Sequence, residues 1–140
     1  MDFGAQADLP SFFDGRARLV ACPIVTEPRG ALLPLHLAEL PFLPRRVFAV
    51  TDVPVGTERG GHAHRSGMQL LVCLQGRVEV AMRVDEDTQS LVLTPGAPGL
   101  LLGPGVWCRQ TYLVAGTVLL ALASEPYDPT SYVEPAPGAA

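Results

Sequence analysis

The sequence contains no lysine; all ten of its basic residues are arginine, against fourteen acidic ones, for a net charge of −4. That balance argues against a nucleic-acid or anionic-membrane surface, both of which call for an excess of cations. Cysteine is scarce as well. Cys22, Cys73 and Cys108 are far apart and no CxxC occurs, which leaves out a disulfide framework and a zinc ribbon and predicts buried free thiols in a reducing, cytoplasmic setting. No apolar run approaches the roughly 20 residues that span a bilayer, and the first fifteen residues lack the basic start and apolar core of a signal peptide. Helical periodicity is nearly absent. Charged residues are only 17% of the chain and aromatics 6%.

What is present is apolar and punctuated. Apolar residues make up 48% of 140, enough for one domain with its own core. Short segments recur between Gly- and Pro-containing turns: 18–22, 45–53, the stretch through His62, 68–74, 77–84, 89–93, 100–102, 106–114 and 116–123. In 77–84, Val78, Val80, Met82 and Val84 alternate with Glu79, Ala81 and Arg83, the period of a strand with one buried face. Gln75-Gly76 reads as the turn of a β-hairpin joining 68–74 to 77–84. Segment 31–40, broken by Pro34 and Pro41, reads as a strand plus one short turn. The expectation is an all-β sandwich or barrel over residues 18–133, with a loose N-terminal arm at 1–17 and a disordered tail at 134–140.

Two of the three histidines lie in Arg59-Gly60-Gly61-His62-Ala63-His64. On an extended backbone, residues i and i+2 share a face, so both imidazoles should enter one space. Imidazole titrates near neutrality and is also a frequent metal ligand, and the residues alone leave both uses open. Two histidines alone hold a divalent ion poorly, which disfavours metal binding. His36 is expected at the surface, Cys108 as a packed thiol, and Tyr127-Asp128 as the close of a turn.

The spacing His-x-His, then Gln69, then Gly76 resembles the first motif of the cupin superfamily, with Gln69 where metal-binding cupins have Glu. More specifically, the chain resembles the WxcM-like (FdtA-type) family of sugar 3,4-ketoisomerases. The ordered matches are Arg29-Gly30, Leu40-Pro41-Phe42, Arg46-Val47-Phe48, Arg59-Gly60, His62-Ala63-His64, Gln69, Gly76, Gly103-Pro104, Trp107, Leu122-Ala123-Ser124, Tyr127-Asp128 and Tyr132. The resemblance implies a cupin-type double-stranded β-helix (jelly roll) and a metal-independent isomerase of nucleotide-linked 4-keto-6-deoxyhexoses, with no cofactor. It implies His64 as the base at carbon and His62 as the proton shuttle between oxygens. Arg59 and Arg46 are expected on the diphosphate, Trp107 stacked on sugar or base, and Gln69 on a sugar hydroxyl or a histidine. A homodimer is implied as well, with the arm adding a strand to a neighbour. The sequence departs from the family at His36, Ala49, Cys108 and Ser131. An epimerase of the same substrates, a non-catalytic nucleotide-sugar-binding cupin and a metal-dependent dioxygenase are the alternatives.

Overall fold

The computed structural model describes residues 9–133. Thirteen strands follow in order: β1 (Ser11–Phe12), β2 (Ala17–Val20), β3 (Val25–Glu27), β4 (Gly30–Leu32), β5 (Arg46–Val50), β6 (Glu58–His64), β7 (Gln69–Gln75), β8 (Val78–Val84), β9 (Asp87–Leu93), β10 (Gly99–Leu102), β11 (Trp107–Tyr112), β12 (Val118–Ala123) and β13 (Tyr132–Val133). There is no α-helix among the described residues, only 3₁₀ turns at Leu37–Glu39 and Pro129–Ser131. A six-stranded sheet in the order β1-β2-β10-β7-β12-β5 faces a five-stranded sheet in the order β13-β6-β11-β8-β9, and β3 and β4 form a separate hairpin. This is the cupin-type jelly roll, all of whose sheet pairings are antiparallel.

Between the sheets, one half of the sandwich is filled. Val78, Val80, Met82, Leu93, Leu100, Leu102 and Val106 pack there with almost no exposure, drawn from the period-two faces of their strands. Burying each of these side chains contributes roughly 1.5–3 kcal/mol. The six-stranded sheet is apolar on its other face too. There Val20, Leu70, Val72, Leu101 and Leu122 are roofed by Leu33, Leu35, Leu40 and Phe42. That second layer explains why Leu70 to Cys73 form an uninterrupted apolar run, not an alternating one.

The expected hairpin across Gln75-Gly76 does not form. β7 pairs with β10 and β12, whereas β8 pairs with β9 and β11. The turn carries the chain from one sheet to the other, because β7 is buried on both faces and β8 on only one. Gly76, at φ +84°, lies so close to Thr117 that a side chain would strike it. The true hairpin is β8–β9, closed by Asp85 at φ 53°. The arm expected through residue 17 is also shorter than that. Ser11–Phe12 pairs with Ala17–Arg18, Phe12 and Phe13 pack on the core, and Ala17 is buried. Residues 1–8 and the tail 134–140 lie outside the described residues.

One irregularity shapes the site. Along β6 and β11, Cys108 is opposite His62 but Arg109 is opposite Gly60, so Gly61 is an extra residue in the ladder. Gly60 and Gly61 both have φ above +80°, a conformation only glycine adopts without strain. The bulge changes the parity of β6, so that Arg59 and His62, three positions apart, line the same space.

Candidate active site

The unfilled half of the sandwich holds a cavity of about 330 Å³, within the size range of small-molecule sites. β5, β7 and β12 supply Arg46, Phe48, Gln69, Leu71, Leu119 and Ala121; β6 and β11 supply Arg59, His62, Gln110 and Tyr112. Tyr127, from the segment after β12, completes the wall. A smaller cleft of about 20 Å³ is lined by His64, Ser66, Glu125 and Asp128. Arg46, Gln69 and Tyr127 line both hollows, which therefore adjoin.

The two imidazoles lie edge to face, with ring centroids 5.5 Å apart and planes at 76°. His64 titrates below the ordinary imidazole value of 6.5. Burial is the main cause, followed by the neighbouring His62 and the Arg46 guanidinium, while Glu125 pulls the other way. Near neutral pH the ring is thus held in its proton-accepting form. The hydroxyl of Ser66 donates toward both oxygens of Glu125, each at 3.0 Å, and so fixes the carboxylate that acts on His64.

Arg46 lies between two aromatic faces, 4.3 Å from the centroid of Phe48 and 4.9 Å from that of Tyr127. Such stacking immobilises a guanidinium while leaving its N–H edges for an anion. Tyr127 is missing from the expected set, since its segment reads as a turn. It does close one: the Asp128 carboxylate accepts from the Thr130 backbone N–H at 2.9 Å and from its hydroxyl at 2.7 Å. That turn delivers the ring to Arg46. Phe48, Gln110 and Tyr112 were also not expected. The signal for the last two is parity, because Cys108, Gln110 and Tyr112 share one face of β11.

The same parity removes Trp107. It is on the opposite face of β11, beside Arg109, whose guanidinium is 5.6 Å from the indole centroid and 2.9 Å from Glu58. Trp107 lines neither hollow, and the expectation that it stacks on substrate there is corrected. Cys108 is buried with its thiol pushed up to about 12, chiefly by desolvation, and accepts a hydrogen bond from Gln110 Nε2 at 3.0 Å. A thiol so reluctant to ionise is a packed group. His36 is exposed ahead of the 3₁₀ turn and away from both hollows. Among the described residues, no three His, Cys, Asp or Glu side chains gather to share an ion.

The arrangement brings together two imidazoles able to move protons, two guanidiniums able to hold an anion, and the neutral amides and Tyr127 phenol that suit a polyol. A TDP-4-oxo-6-deoxy-alpha-D-glucose-3,4-oxoisomerase of Aneurinibacillus thermoaerophilus is 34% identical over 110 residues, 78% of this chain and 79% of that protein. A mutant of the 3,4-ketoisomerase QdtA from Thermoanaerobacterium thermosaccharolyticum, solved with TDP-4-keto-6-deoxyglucose, superposes with a TM-score of 0.81 at 31% identity over 88% of each chain. The WlaRB TDP-quinovose 3,4-ketoisomerase of Campylobacter jejuni does so with a TM-score of 0.77 at 26% identity, over 84% of this chain and 91% of that one. The family described as FdtA, WxcM-like C-terminal, matches residues 16–136. With that match spanning most of its length, the chain belongs to the WxcM-like family.

Proposed function

We propose that this protein is a 3,4-ketoisomerase of a nucleotide-linked 4-keto-6-deoxyhexose, working by acid–base chemistry of its histidines. The observation that carries the reading is the edge-to-face pair His62 and His64 beside the two adjoining hollows, with Arg46 and Arg59 lining the larger of them from its opposite walls. The reaction is a redox-neutral tautomerisation. The C3–H bond breaks, its electrons form the C3=C4 bond of an enediol, and a proton arrives at C4 while the O3 proton passes to O4. The ketone moves from C4 to C3. His64 takes and returns the carbon-bound proton, and its lowered pKa leaves the ring unprotonated near neutral pH and free to accept it. His62 relays the proton between the oxygens. Arg59 and Arg46 hold the diphosphate, whose oxygens match the guanidinium fork.

Gln69 lines both hollows and fits a sugar hydroxyl at the junction. Supporting a cytoplasmic setting are the three free, buried thiols. The protein acts as a homodimer in this reading, to be checked by light scattering on a sizing column.

The test is incubation of TDP-4-keto-6-deoxyglucose with the enzyme in heavy water, followed by NMR. Migration of the carbonyl from C4 to C3, with solvent deuterium at C3 or C4, is expected, and His64→Asn should lose about 10²–10⁴ in rate while still binding TDP. Deuterium at C5 alone would instead make the protein an epimerase, and an active His64→Asn enzyme would remove His64 from its role.

A further inference from the structure

Among the described residues, the charged side chains that line the larger cavity are cationic. Arg46 and Arg59 line it, whereas no aspartate or glutamate among the described residues does. A guanidinium offers only donors, so it can bind phosphate oxygens but cannot take the proton of a sugar hydroxyl. Every hydroxyl brought into this space needs an acceptor, and the amides of Gln69 and Gln110 provide neutral carbonyls.

Gln110 is held for such a role. Its Nε2 donates to Cys108 Sγ at 3.0 Å, which orients the amide plane. On the facing strand Gly60 lies flat against the same amide. A Cβ at Gly60 would come within 3.0 Å of Oε1 and 3.2 Å of Nε2, so the glycine makes the room the amide occupies. The register of β6 and β11 then places Gln110 along the substrate. Gln110 is opposite Arg59, and Cys108, two residues before it, is opposite His62. If Arg59 takes the diphosphate on C1 and His62 serves O3 and O4, the position between them is C2.

We infer that Gln110 is a specificity-determining residue whose amide carbonyl accepts a hydrogen bond from the substrate's 2-hydroxyl, so that the site prefers 2-hydroxy over 2-deoxy sugars. The inference rests on the ketoisomerase reading for the direction in which the substrate lies. Gln69, which lines both hollows, serves the reacting end instead.

Calorimetric titration tests it without requiring turnover. TDP, TDP-glucose and TDP-2-deoxyglucose are titrated into the wild type and into Gln110→Met, which keeps side-chain length and removes the acceptor. The wild type should bind the 2-deoxy compound about five- to tenfold more weakly than TDP-glucose, the worth of one hydrogen bond. Gln110→Met should bind the two within about twofold and bind TDP as the wild type does. Gln110→Glu, which retains an acceptor, should keep the preference. An unchanged 2-deoxy penalty in Gln110→Met, a parallel loss of TDP affinity, or a wild type that binds neither sugar nucleotide would overturn the inference. Normal discrimination by an enzyme that never moves the ketone would instead refute the ketoisomerase reading and leave Gln110 in place.

Discussion

Tyr112 offers a prediction that runs against the usual cost of a core substitution. Its side chain is fully buried, and its hydroxyl has no hydrogen-bond partner among the described residues. A buried hydroxyl without a partner forfeits about 1–3 kcal/mol that it enjoys in water. Tyr112→Phe removes that penalty. The void left behind, roughly 10–15 Å³, costs about 0.3 kcal/mol at 24 cal/mol per Å³. The variant should therefore be more stable by about 1–2 kcal/mol, seen as a higher urea midpoint with an unchanged slope and a rise of about 3–5 °C in Tm for each kcal/mol.

The gain should grow in alkali. Burial, opposed by Arg59 and reinforced by the Cys108 and Cys73 thiols, pushes the phenol from 10 up to about 12. Below pH 10 the phenol is neutral in both states. Above it the unfolded chain ionises first, so wild-type stability falls as pH rises from 10 toward 12, whereas Phe has nothing to titrate. At pH 11 the gap between the two proteins should be wider by about 1.4 kcal/mol than at pH 7. Because the hydroxyl has no accessible surface for a ligand to touch, kcat/KM should stay within about twofold. A lower midpoint for Tyr112→Phe at pH 7, or a gap that does not widen with pH, would refute the reasoning.

Three further outcomes are expected. Arg59→Ala should raise KM for the nucleotide sugar roughly ten- to a hundredfold, the worth of charge-assisted hydrogen bonds to phosphate, with kcat little changed; an unaltered KM would take Arg59 off the diphosphate. Glu125→Gln removes a carboxylate that raises the pKa of His64, so the acid limb of the kcat/KM profile should move to lower pH, and a move upward would contradict the proposed base. Gly76→Ala should lower stability by about 2–4 kcal/mol, because it adds a steric clash with Thr117 to a left-handed backbone; Gly56→Ala, at φ +82° with open space around it, should cost only the backbone part, about 1–2 kcal/mol.

Strands were legible wherever one face is buried. In 78–84 the alternation Val, Glu, Val, Ala, Met is also the alternation of inward and outward side chains. The sheet to which a strand belongs was not legible. Gln75-Gly76 has hairpin composition, yet it joins different sheets, since pairing is decided by distant partners such as β12. That the histidine pair and Arg59 sit along the hollows was legible because their motif is contiguous. The place of Tyr127 beside Arg46 was not, as it depends on a turn closed by Asp128 and Thr130. Trp107 misled because an aromatic beside a Pro-Gly turn suits a ligand platform, and only the parity of β11 sends it outward while Gln110 turns in.

The bulge at Gly61 has a consequence for how the chain tolerates change. It works as a phase shifter: upstream of it, odd positions of β6 look into the hollow, and downstream even ones do. Removing that single residue would leave the strand's length nearly intact yet turn Arg59 to the face opposite His62, parting the proposed anion contact from the proposed proton transfer. Length variation should therefore be far better accepted at the exposed β3–β4 tip than at this glycine pair.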